Sequence, residues 1–128
     1  MKIHGNGVDI VDNERIKKSI KNRSFVYKLF TNSEIMLSKH KINKANYFAK
    51  RFAAKEAFLK ALGTGLRNGI SFKDICIKNN KLGKPIILLN KKIRNIIKKK
   101  LKISTLKIYL SISDENKYSI AFVILNKK

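Results

Sequence analysis

The chain has a single cysteine, Cys76, so no internal disulfide can close, and a reducing cytosol is the expected setting. No apolar run approaches the roughly 20 residues that a membrane-spanning helix needs. No long apolar stretch follows Lys2, so no secretory signal is expected and the chain is read as cytoplasmic. Linkers, low-complexity tracts and internal repeats are also missing, which leaves residues 1–128 as one domain, long enough to bury a core. Acids are scarce: Asp9, Asp12, Glu14, Glu34, Glu56, Asp74, Asp114 and Glu115 are all there are. In so basic a chain, an acid in an apolar setting needs a reason.

What is abundant is positive charge. Thirty Lys and Arg give a net charge of +22, a field that draws polyanions. Nucleic acid, anionic lipid, a phosphorylated small molecule and an acidic protein all qualify as partners. Lysine, isoleucine and asparagine, which all have A/T-rich codons, dominate together, so drift on a solvated surface explains the lysines equally well. Charge alone does not name the partner. Hydrophobic residues make up 44% of the chain, too many for a disordered tail.

The pattern predicts an α+β domain: a small antiparallel sheet with one long central helix. Residues 3–11 read as a strand with glycines near its start and Asp9 inside the apolar run. Residues 12–22 suit a short basic helix capped by Asp12 or Asn13, and 24–30 another apolar turn or helix. Thr31 and Glu34 form a capping-box pattern that opens a helix through about Lys39. Residues 43–62 are the clearest helix, with Gly63 as its C-cap. Strands are expected at 74–78 and 84–89, an amphipathic helix at 90–102, and a hairpin of 106–113 with 118–125 turning at Asp114 to Lys117. This order leaves room for a repeated strand–helix–strand–strand unit.

On the long helix, at about 100° per residue, Phe48, Phe52 and Leu59 form an apolar stripe. Lys55 falls inside it, Glu56 on its edge, and Lys60 one turn beyond Glu56. One account is a surface edge with a snorkelling lysine and a Glu56–Lys60 pair. The other is a site. Asp9, embedded in GVDIV, is poorly placed for a structural role unless it caps the next helix. Two carboxylates from separate elements meeting at a pocket would bind a hard cation such as Mg2+. Arg51, Lys55 and Lys60 would then contact phosphates, and Gly63-Thr64-Gly65 would let backbone N–H groups approach one.

Three segments carry a resemblance: GVDIV (7–11), FAKRFAAKEAFLKALGTG (48–65) and SISDENKYSIAFVIL (111–125), with GKP at 83–85 in between. Together they resemble the holo-acyl-carrier-protein synthases, small bacterial phosphopantetheinyl transferases, over nearly the whole chain. The resemblance implies transfer of the 4'-phosphopantetheine arm of coenzyme A to a serine of acyl carrier protein, releasing 3',5'-ADP, in fatty acid biosynthesis. It implies Mg2+ on Asp9 and Glu56, with these two and Lys60 catalytic. Lys60 would contact the coenzyme A phosphates, with Lys55 and the Gly63, Thr64, Gly65 turn lining the site. Arg15 would dock the acidic carrier protein, and the assembly would be a homotrimer with active sites between subunits.

One position departs from the pattern. Many relatives carry histidine where Asp114 stands, after Ser111-Ile112-Ser113. Asp114 reads as a turn residue or as a base. A metal-held water, Glu56 and Asp114 remain alternatives for accepting the serine proton. His4 and His40 lie outside the motifs and read as strand-end and surface residues. The rival class is a basic nucleic-acid-binding module, suited by the net charge and the lysine-rich 91–102 helix. Against it, most aromatics occupy apolar-face positions and no nucleic-acid motif is present.

Overall fold

A computed structural model describes all of residues 1–128. The elements run β1 (Lys2–Asp12), α1 (Asn13–Ser19), α2 (Arg23–Leu29), α3 (Asn32–Ser38), α4 (Lys44–Leu62), β2 (Ile75–Asn79), β3 (Pro85–Leu89), α5 (Lys91–Lys100), β4 (Leu106–Asp114) and β5 (Tyr118–Lys127). Two short 3₁₀ turns, Arg67–Gly69 and Phe72–Asp74, occupy the connection between α4 and β2. The α+β expectation holds, as an antiparallel sheet in the order β1-β5-β4 with a separate β2–β3 ribbon. The strand–helix–strand–strand unit does not repeat, because the first strand pairs with the last: Val8 opposes Phe122 and Asp9 opposes Ala121.

Helix starts are set by side chains that satisfy otherwise orphaned N–H groups. Asp12 accepts from the N–H groups of Glu14 and Arg15, and Asn43 from that of Asn46. The helix expected over 12–22 is present but shorter, Asn13–Ser19, and the apolar segment expected over 24–30 is a second helix, Arg23–Leu29. Asn22 accepts from the N–H groups of Ser24 and Phe25, ends the first turn region and starts α2. The capping box of Thr31 and Glu34 is present. Gly63 closes α4 at φ 86°, a left-handed conformation that glycine adopts without a Cβ penalty.

The core lies between α4 and one face of the sheet. α4 is buried on most of its circumference, not on one stripe, and much of that surface is alanine: Ala49, Ala53, Ala54, Ala57 and Ala61. Small side chains let a strand come close. β1 answers with glycines at the contact. A Cβ on Gly7 would sit 2.0 Å from the Ala57 carbonyl oxygen, and one on Gly5 2.2 Å from that of Ala61. No side chain fits there, so the two elements touch backbone to backbone. Because side chains alternate along a strand, the residues that follow Gly7 by two and four, Asp9 and Val11, also face the helix layer, while Val8 and Ile10 point away and are exposed.

Candidate active site

The close β1–α4 contact brings the strand acid to the helix. Lys60 donates to the Val8 carbonyl at 2.9 Å and to Asp9 Oδ1 at 3.2 Å. Glu56 stands one turn earlier on the same helix. Burial raises its carboxyl above the ordinary carboxylate range, the negative charge of Asp9 raises it further, and Lys60 pulls it down. The Glu56–Lys60 pair that helical spacing suggests does not form. Lys60 bridges to Asp9, and Glu56 is left without a salt bridge.

Glu56, Leu59, Lys60, Gly63, Gly65, Leu66 and Phe72 line a cleft of about 570 Å³. The C-terminal turn of α4 forms one side. The loop that Gly63 and Gly65 open, both at positive φ, forms another, and Phe72 closes the back. Neither glycine has a neighbour within 4 Å of where a Cβ would stand, so a ligand can reach that backbone. Thr64 turns its hydroxyl onto the Gly65 carbonyl at 3.1 Å.

The donor set suits a hard cation. Asp9 stands near enough to Glu56 to raise its affinity for a proton, and the lysine that acts on both is salt-bridged to Asp9 alone, which leaves the Glu56 carboxylate open to a cation. Mg2+ asks for one or two protein carboxylates and leaves its remaining positions to water and substrate phosphate. Asp9 and Glu56 meet that description. No cluster of three or more acids, histidines or cysteines is present.

Two of the residues expected at the phosphates lie elsewhere. Lys55 does not reach the cleft. Its ammonium is fully buried, 2.6 Å from Glu34 Oε1 and 2.8 Å from the Leu29 carbonyl. It sits about 100° around the helix from Glu56, which is enough to turn it into the core. Burial lowers its affinity for a proton, against the pull of Glu34. Arg51 also points away from Glu56. It stacks 3.8 Å from the Tyr47 ring centre and donates to Asn79 Oδ1 at 2.8 Å. With Lys50, Asn79, Gly83, Pro85 and Asp114 it lines a second, smaller hollow of about 150 Å³, where its buried Nε has no hydrogen-bond partner. Asp114 is held there by Asn46 at 3.2 Å and Lys50 at 3.9 Å. Arg15 is exposed on α1.

Sequence reasoning missed Glu34 and Phe72. Glu34 was legible only as half of a capping box, though its place among eight acids was a signal. Phe72 gave none. His4, read as a strand-end residue, is hydrogen-bonded through Nε2 to the Leu62 carbonyl at 3.1 Å and so caps the end of α4.

A domain of this fold, with paired carboxylates and a lysine over a glycine-lined cleft, has a counterpart among known proteins. Residues 5–123 match the family model described as the 4'-phosphopantetheinyl transferase superfamily, and the chain belongs to that superfamily. Within it, the matching relatives are the holo-[acyl-carrier-protein] synthases. That of Pelagibacter ubique (strain HTCC1062) is 57% identical over the full length of both chains. The crystal structure of the Neisseria meningitidis holo-[acyl-carrier-protein] synthase superposes with a TM-score of 0.88 at 38% identity, covering 98% of this chain and 99% of that one. The Bacillus anthracis holo-(acyl-carrier-protein) synthase, solved in complex with CoA (3',5'-ADP), superposes at 0.80 with 32% identity, covering 98% and 97%.

Proposed function

We propose that the chain is a Mg2+-dependent holo-[acyl-carrier-protein] synthase. It moves 4'-phosphopantetheine from coenzyme A to a serine of acyl carrier protein and releases 3',5'-ADP, in fatty acid biosynthesis. The observation that supports this reading is a cleft lined by Glu56, Lys60, Gly63 and Gly65, with Asp9 held 3.2 Å from the Lys60 ammonium. Asp9 and Glu56 would hold the metal, whose chemistry is to polarise the phosphoryl oxygens of the pyrophosphate and offset the charge that develops on the 5'-phosphate of the leaving 3',5'-ADP. Lys60, half-exposed at the cleft, would place an ammonium beside the pyrophosphate and share its negative charge. Gly63 and Gly65 present backbone without a Cβ in the way. Leu59, Leu66 and Phe72 give the cleft apolar walls that limit water. Within one subunit, Glu56 lines this cleft and Asp114 the second hollow, so Glu56 of the same subunit, Asp114 of a neighbour or a metal-held water would receive the serine proton.

Several features support the remaining parts of the reading. The face of the sheet turned away from α4 exposes Val8, Ile10, Tyr109, Ile120 and Phe122. A contiguous apolar face of this kind suits burial against further copies, in keeping with a homotrimer. In such an assembly the Arg51 hollow of one subunit would complete the Glu56 cleft of the next, and the free Arg51 Nε–H would meet a coenzyme A phosphate. Arg15, with exposed Lys17 and Lys18, would steer the acidic carrier protein. No helix is long and apolar enough to cross a membrane, and the reading places the enzyme in the cytoplasm. The nucleic-acid alternative finds no support in the family match.

The test is mass spectrometry of carrier protein incubated with the enzyme, coenzyme A and Mg2+. A mass gain of one phosphopantetheine arm is expected. Asp9→Asn and Glu56→Gln should each abolish it while circular dichroism stays unchanged. Activity retained by either variant at the same Mg2+ concentration sinks the metal assignment.

A further inference from the structure

Lys55 is the next residue to Glu56, yet it does no work in the cleft. It is a fully buried lysine with three partners: Glu34 Oε1 at 2.6 Å, the Leu29 carbonyl at 2.8 Å and the Phe72 carbonyl at 3.2 Å. Glu34 is almost as deeply buried, and both of its oxygens are hydrogen-bonded. Oε1 also accepts from the Thr31 N–H at 2.8 Å, and Oε2 accepts from the Ile77 N–H at 2.9 Å. One ion pair therefore ties together the end of α2, the start of α3, the 3₁₀ turn at Phe72, strand β2 and the middle of α4.

Stability alone does not account for such a pair. Taking two charges out of water costs about as much as their attraction returns, and apolar residues of similar volume often do as well. What an apolar pair lacks is direction. Lys55 donates to a main-chain atom of the residue whose ring lines the cleft, from the helical turn that carries Glu56. The loop between has little else to hold it: residues 64–69 are largely exposed.

We propose that the Glu34–Lys55 pair is a positioning device, in which Lys55, oriented by Glu34, pins the Phe72 wall of the cleft to the turn of α4 that bears Glu56. Glu34 and Lys55 touch no substrate and act through Phe72. The inference rests on the reading of this cleft as the coenzyme A site.

The test compares Lys55→Met with the double variant Glu34→Gln/Lys55→Met, and with Ile97→Val as a core substitution remote from the wall. The single variant strands a buried carboxylate. The double variant removes both charges and should regain most of the stability that the single variant loses, measured by urea unfolding. It still has no donor for the Phe72 carbonyl. So the amides of Ser71 and Asp74, bonded to Asp74 Oδ2 and the Ser71 carbonyl, should exchange at least about tenfold faster than in the parent. The KM for coenzyme A should rise about tenfold, while the KM for carrier protein stays within about twofold. Return of both exchange and KM to parent values in the double variant overturns the proposal, as does the same shift in Ile97→Val. Faster exchange with an unchanged KM upholds the pin and refutes the coenzyme A reading of the cleft. If neither Lys55 variant folds, exchange in the unaltered protein decides. Ser71 and Asp74 amides should be as protected as those in the middle of α4, and rates far above those overturn the proposal.

Discussion

Gly7→Ala is the sharpest perturbation of the site that leaves every functional side chain in place. The added Cβ would lie 2.0 Å from the Ala57 carbonyl oxygen, 2.7 Å from the Ala61 nitrogen and 3.0 Å from Lys60 Cβ. The first contact is about 1.4 Å shorter than an ordinary C···O approach of roughly 3.4 Å. Two of the three atoms are main chain in the last two turns of α4 and cannot rotate away. β1 must therefore lift off α4 by something near 1 Å. Overpacking of this kind costs about 3 kcal/mol, which for a domain of this size lowers Tm by roughly 10 °C. The same movement separates Asp9 from Lys60, now 3.2 Å apart, and from Glu56. A misplacement of about 1 Å in a reacting constellation can cost about 100-fold in rate. The assay is thermal unfolding by circular dichroism, followed by transfer kinetics at a temperature where the variant is fully folded. Parent-like Tm together with parent-like kcat would refute the claim that backbone contact between strand and helix builds the site.

Two further outcomes are expected. Burial pushes the Asp74 carboxyl up, but the Ser71 N–H, the Asn90 amide and Lys92 outweigh it and hold the group below its ordinary value of 3.8. A carboxyl lowered on folding stabilises the fold fully above that value and ceases to do so as pH falls through the folded one. Asp74→Asn should thus cost about 2 kcal/mol at pH 7, and the gap to the parent in urea unfolding should close below about pH 4; a gap that stays constant down to pH 2 contradicts this. Arg15→Glu should raise the KM for carrier protein about tenfold with little change for coenzyme A, and equal effects on both substrates argue against a docking role.

The elements were readable where the cause is local. The 44–62 helix, the Thr31–Glu34 capping box, the Gly63 stop and the final hairpin all follow from residues within a few positions of one another. The end of the first helix was harder to place: α1 stops at Ser19, not at 22, and no proline or glycine marks the spot, while Asn22 caps the start of α2. In the site, Asp9, Glu56 and Lys60 were legible through the rarity of acids and through the family resemblance. Lys55 was misplaced for a physical reason. Helical periodicity says which way a side chain points but not what waits for it there, and its partner Glu34 is 21 residues away. The same limit hid the choice Lys60 makes, between Glu56 on its own helix and Asp9 at a separation of 51 residues.

The pairing of the first strand with the last has a consequence for how the protein is made. Lys2 lies opposite Lys127, and Asp12 opposite Tyr118, so the strand that presents Asp9 has no hydrogen-bonded neighbour until the far end of the chain has left the ribosome. Such distant contacts are entropically expensive to form and come late in folding. The strand segment that carries Asp9 is paired only once Ala121 has emerged, so a truncation ahead of that residue should leave Asp9 on an unpaired strand while every residue of the cleft is still present.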